Sequence, residues 1–141
     1  MNILEAKAYD KESFKNLDIE NVSLQQASFT DCTFSRCRLS KIDFTAADFS
    51  ECVFDRCELS LVKLVNASLH GTSFTDSKLM GLDFTKCNTS FLDISFRDCL
   101  IDTCNFSALK LQKTPFLDCL IRESRFIERS EEHTSELQSQ R

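Results

Sequence analysis

Glycine and proline are nearly missing from this 141-residue chain, which has two of the first and one of the second. Phosphate loops and dinucleotide-binding turns need glycine at fixed spacings, and Gly71 and Gly81 match neither pattern. Tryptophan is absent and tyrosine occurs once, at Tyr9, beside thirteen phenylalanines. No stretch approaches about 18 apolar residues, so no membrane association through a spanning helix is expected. Bases are outnumbered by acids, 17 against 22, for a net charge of −5. A nucleic-acid binder carries a basic excess, so direct nucleic-acid binding is not expected either. The opening residues, MNILEAKAYDKE, lack a cationic stretch followed by an apolar run, which makes the cytoplasm the expected compartment. Eight cysteines in that compartment should be reduced. The length suits one domain.

What the chain does have is a period of five. Every fifth residue from Leu4 is large and apolar: Tyr9, Phe14, Ile19, Leu24, Phe29, Phe34, Leu39, Phe44, Phe49 and Phe54 open the series. It continues through Leu59, Leu64, Leu69, Phe74, Leu79 and Phe84, misses at Thr89, and resumes two residues late. The second run reads Phe91, Phe96, Ile101, Phe106, Leu111, Phe116, Ile121 and Phe126, so all thirteen phenylalanines sit on this one position. Fifteen Leu, Ile or Phe in a row, from Phe14 to Phe84, has chance odds on the order of one in a billion. Two residues before most of these centres stands a small or apolar side chain, such as Ala27, Cys32, Cys37, Ile42 or Ala47.

Neither a helix nor an ordinary strand repeats every five residues. A chain that turns a corner every five residues does, with two side chains of each five pointing inward, and four such sides close a coil of twenty. The side that carries Phe14, Phe34, Phe54, Phe74, Phe96 and Phe116 is then pure phenylalanine. The next carries Ile19, Leu39, Leu59, Leu79, Ile101 and Ile121 and is purely aliphatic. The third holds Leu24, Phe44, Leu64, Phe84, Phe106 and Phe126, and the fourth Phe29, Phe49, Leu69, Phe91 and Leu111. The two extra residues fall near 86–90, between the third and fourth sides.

Units such as Ala47-Asp48-Phe49-Ser50-Glu51 and Ala27-Ser28-Phe29-Thr30-Asp31 resemble the pentapeptide-repeat family, whose motif is written A(D/N)LXX. The resemblance covers roughly residues 4–128. It implies an all-β fold, a right-handed quadrilateral parallel β-helix of about six coils, near 29 Å long at the inter-strand spacing. Residues 1–128 are expected to form this solenoid. The remainder, 129–141, departs abruptly in composition, and Arg129–Ser139 resembles the in-frame translation of a sequencing-library adapter. A disordered, artefactual tail is the expectation there, with the authentic repeat continuing past Glu128. An uncapped last coil would then be prone to end-to-end self-association.

Candidate chemistry is thin. The Cys32/Cys37, Cys52/Cys57 and Cys99/Cys104 pairs have C-x4-C spacing, part of one iron–sulfur pattern. Yet these six, with Cys119 and Cys87, all lie two before a centre, where the family resemblance implies an inward ladder of small residues. Cysteine packs there as a small hydrophobe, so no metal and no cofactor are expected. His70 falls on an outward corner and His133 in the suspect tail, which leaves no nucleophile–base constellation and no catalytic residue. Arg36 and Arg56, followed by Asp76, Asp98 and Asp118, line one side from basic to acidic. The insertion, with Lys86, Asn88 and Ser90, is a candidate interaction bulge, since breaks in rigid scaffolds often carry binding.

The family resemblance implies a non-enzymatic rod, a scaffold or protein-interaction surface with a protein partner. An alternative from the same family is a DNA-mimicking protein that binds DNA gyrase and protects it from quinolones. Residues 14–128 carry only a small acidic excess, which is little charge for a mimic. An enzyme on an outer helix face is a third class, for which the residues are lacking.

Overall fold

The computed structural model describes residues 7–111 and 113–127. The stretch 129–141 lies outside the described residues. Within them the chain is an all-β parallel solenoid of about six turns, built of short strands stacked coil upon coil. Register follows the period of twenty: Phe14 pairs Phe34, which pairs Phe54, which pairs Phe74, and Phe96 pairs Phe116. The aliphatic side forms a six-stranded sheet in which Ile19, Leu39, Leu59, Leu79, Ile101 and Ile121 stack in order.

Most strands are only three residues long, with the centre buried between two outward neighbours, as in Thr33–Ser35 and Val53–Asp55. That alternation is the ordinary two-residue period of a strand, interrupted before it can run on. The interruption has one common cause. The residue two after most centres sits at positive φ, as in Asn16, Arg36, Glu51, Leu61 and Asp76, with φ of 59°, 55°, 55°, 54° and 50°; Lys86, in a 3₁₀ turn, is an exception. Left-handed backbone costs a residue with a side chain about 1–2 kcal/mol, less for Asn and Asp. A hydrogen bond to the next coil offsets it at most of these corners: Asn16 N–H donates to Ser35 O at 2.9 Å, Glu51 N–H to His70 O at 2.8 Å, Leu61 N–H to Met80 O at 2.9 Å. Glycine occupies this corner at Gly71 and Gly81. At Gly81 a Cβ would come within 2.6 Å of the Leu61 Cδ2 that lies over it.

The third side is built differently. It has isolated bridges through Asp43, Asp83 and Asn105 in place of strands. The Oδ1 of each accepts the N–H two residues on, from Thr45 at 3.0 Å, Thr85 at 2.9 Å and Ser107 at 3.0 Å. Side-chain acceptors of this kind compete with ladder formation and tighten the chain into a turn.

Inside, the rings stack. Phe14, Phe34, Phe54, Phe74, Phe96 and Phe116 form one column with successive centroids 4.6–5.2 Å apart and planes within 18°. A second column meets it edge to face, a favoured aromatic geometry. Tyr9, Phe29 and Phe49 supply it from the fourth side, and Phe84, Phe106 and Phe126 from the third.

The fourth side corrects the sequence reading. Phe91 is not a core residue: it is 75% exposed, and its neighbour Leu92 packs against the core. Asn88 is still in register, its N–H on Ala67 O at 2.8 Å, in the same relation that Ser68 has to Ala47. Asn88 Oδ1 then accepts the Ser90 N–H at 3.0 Å and turns the chain outward. It returns at Leu92, and Asp93 pairs with His70 while Ile94 pairs with Thr72. Residues are thus added before the strand Asp93–Arg97 and one is lost at its corner, which leaves the net shift of two. Counting back five from Phe96 lands on Phe91 only if that corner keeps its usual length.

Candidate interaction surface

The inward ladder two before each centre carries the cysteines. Cys32, Cys37, Cys52, Cys57, Cys87, Cys99, Cys104 and Cys119 are all buried and all free thiols. For six of the eight, placement gives the S–H a carbonyl in the coil before: Cys32 donates to Tyr9 O at 3.5 Å, Cys37 to Phe14 O at 3.5 Å, Cys52 to Phe29 O at 3.3 Å, Cys57 to Phe34 O at 3.2 Å, Cys99 to Phe74 O at 3.3 Å and Cys104 to Leu79 O at 3.6 Å. Thr72 and Ser77 take the same place and donate to Phe49 O and Phe54 O. The thiols therefore stand where hydroxyls also serve, as small donors to buried carbonyls.

Burial pushes the Cys52 and Cys87 thiols up to about 12 and Cys104 to about 11, so these are poor nucleophiles at neutral pH. Cys37 and Cys57 stack in register and titrate together, as do Cys99 and Cys119. The neighbouring S–H stabilises a thiolate at Cys37 and Cys119, and drives Cys57 and Cys99 upward with help from burial. Among the described residues no group of three or more His, Cys, Asp or Glu is placed to hold a metal ion. No helix there is long and apolar enough to cross a membrane.

The outward side chains are dispersed. Arg36, Arg56, Asp76, Asp98 and Asp118 occupy successive left-handed corners, so their column changes sign along the rod. On the aliphatic side Arg38 lies 3.9 Å from Asp18 and 3.5 Å from Glu58, bridging three coils. Such exposed pairs contribute little to stability.

Of the proposed bulge residues, Lys86 closes a short 3₁₀ turn, Phe84–Lys86, and its carbonyl accepts from Asn66 N–H at 2.8 Å. Asn88 and Ser90 form the outward turn. The side chain that the bulge presents is Phe91, which the five-residue count had placed inside. The adjacent Leu92 was the available signal, a second large apolar residue able to fill the same side. His70 Nδ1 lies 3.3 Å from Phe91 O, which ties the bulge to the strand Ser68–Thr75. Beneath it a concavity of about 250 Å³ is lined by Asp48, Ser50, Ser68, His70, Asn88 and Phe91.

Residues 27–92 match the family model for the pentapeptide repeat region. Among solved structures, the pentapeptide repeat protein Rfr23 from the cyanobacterium Cyanothece 51142 superposes with a TM-score of 0.53 at 10% identity. That superposition spans 85% of this chain and 91% of Rfr23, and it shows a shared fold. QnrB1, described as a plasmid-mediated fluoroquinolone resistance protein, aligns at 14% identity with a TM-score of 0.49. The alignment covers 79% of this chain and 83% of QnrB1. No curated protein sequence matches the chain.

Proposed function

We propose that this pentapeptide-repeat solenoid is a non-enzymatic scaffold that binds a protein partner through an outer face. The observation that carries this reading is the division of labour in the repeat. Inward positions are filled with stacked rings, aliphatics and hydrogen-bonded thiols, and the polar residues are spread over a stiff exterior that breaks at one place to expose Phe91. A large aromatic held out on a rigid frame is a usual anchor for protein association. Buried reduced thiols support a reducing compartment, the cytoplasm in the first place.

The gyrase-binding alternative ranks lower, because a DNA mimic needs a sustained acidic face. Here the corner column begins with Arg36 and Arg56, and Arg38 interrupts the acids of the aliphatic side. The test is affinity capture with the full chain as bait, repeated with outward substitutions that leave circular dichroism unchanged. Retention of a defined partner that soluble wild-type chain competes away, and that at least one outward substitution abolishes, is the expected result. Turnover of a substrate by the purified chain, lost on outward substitution, would overturn the reading.

A further inference from the structure

The concavity under the bulge draws its walls from three successive coils. Asp48 and Ser50 flank Phe49, Ser68 and His70 flank Leu69, and Asn88 and Phe91 come from the bulge itself. At about 250 Å³ it lies below the range of pockets that enclose drug-sized ligands, roughly 300–1,000 Å³, and suits one long side chain. Its chemistry has one sign. Asp48 lines it, Glu51 lies over Gly71 beside His70, and Asp93 stands opposite His70 in the ladder. Apart from His70 in its lining, the nearest base along the chain is Lys86, two residues before Asn88.

We propose that this concavity receives a cationic side chain of a protein partner, an arginine in the first place, between the Phe91 ring and the Asp48 carboxylate. The proposal rests on the scaffold reading and names the partner chemistry for it. An aromatic face attracts a cation through its quadrupole, and arginine adds a planar guanidinium that stacks on a ring and donates several hydrogen bonds in a fixed fork. Ser50 Oγ donates to Asp48 Oδ1 at 3.1 Å, which orients that carboxylate and leaves its second oxygen to accept from a guest. The mouth also holds the Ser68 hydroxyl and the Asn88 amide, both able to accept further guanidinium protons. The rigid coils below hold these groups in place before a guest arrives, so little ordering entropy is lost on binding.

The experiment titrates ¹⁵N-labelled full chain with an acetylated, amidated Gly-Ser-Arg-Ser-Gly peptide. A second titration uses the citrulline peptide, which keeps the shape and loses the charge. The expected result is saturable shift changes at Ser50, Ser68, His70 and Phe91 with the arginine peptide, at least about threefold weaker with citrulline, and weakened by a similar factor in Phe91→Ala and in Asp48→Asn. Met80→Ala, on another side of the rod, should bind as wild type. Equal affinity for the two peptides, shifts confined to other faces, or wild-type binding by both variants would overturn the proposal. If the chain retains a partner that Phe91→Ala and Asp48→Asn still bind, this inference fails and the scaffold reading stands.

Discussion

The two halves of the rod fill the same square section with rings set in different corners. Both keep the phenylalanine column of the first side. In the N-terminal coils the second column is Tyr9, Phe29 and Phe49 on the fourth side, while in the C-terminal coils it is Phe84, Phe106 and Phe126 on the third. The exchange happens in the coil that holds Leu69 and Phe84. In the following coil the fourth side ceases to be regular, and its centres Leu92 and Leu111 are only partly buried. Phe44 is a third-side ring among the N-terminal coils and meets Phe49 edge to face at 5.0 Å, but its neighbours in the period of twenty are Leu24 and Leu64, so no third ring column forms there. Once the third side supplies the second column, the fourth side no longer has to seat a ring. It can then accept added residues, and the bulge sits where the core stops demanding regularity.

The largest effect should come from cutting the column that both halves share. Phe54→Ala removes a ring stacked 4.6 Å from Phe34 and 5.0 Å from Phe74, and should cost about 3–5 kcal/mol by chemical denaturation. A loss below about 1 kcal/mol would mean that the two columns do not act as a spine. On the fourth side the regular and irregular halves should separate. Leu69→Ala, at a buried centre, should cost about 2–5 kcal/mol, and Leu92→Ala clearly less. Equal losses would erase the difference between the halves.

Alkaline pH sharpens the picture of the thiol ladder. Cys52, Cys87 and Cys104 have folded values raised above the ordinary 9.0, so between about 9 and 11 the unfolded chain has released these protons and the folded chain still holds them. Stability is therefore full below about pH 9 and falls as pH rises toward 11–12. Within each stacked dyad one thiol moves down and its neighbour up, so the three single thiols set the trend. The thermal midpoint should drop progressively above pH 9, and a Cys52→Ala, Cys104→Ala double variant should show a shallower drop. The smallest effect belongs to the corners. Ala46 has φ of 61°, and Ala46→Asn places there a residue that tolerates left-handed backbone, for a gain of up to about 1 kcal/mol. Destabilisation would mean that the corner backbone is not strained by its side chain.

The repeat made much of this legible. A large apolar residue every five positions, with small ones two before it, was enough for the square coil, the stacking of Phe34 on Phe54 and the parallel sheets. The corners were not legible. Their left-handed residues are Lys, Arg, Glu, Leu and Ala as well as Asn, Asp and Gly, because a hydrogen bond to the next coil compensates the strain at almost any residue type. The turn-like third side left a trace in Asp43-Phe44-Thr45 and Asp83-Phe84-Thr85, where an acceptor stands two before a hydroxyl residue. Phe91 was misplaced because counting by five assumes a constant corner, and the corner before Ile94 is one residue short.

That misplacement supplies the most direct test. Thermal unfolding of Phe91→Ala and Leu92→Ala, measured side by side on the full chain, reads which of the two neighbours faces the core. With Phe91 outward, its variant should unfold within about 0.5 kcal/mol of wild type. Leu92→Ala should lose on the order of 1–2 kcal/mol, below the cost of a fully buried leucine. The reverse order, a large loss for Phe91→Ala beside a near-neutral Leu92→Ala, would return the ring to the interior and remove the exposed anchor on which the interaction surface rests.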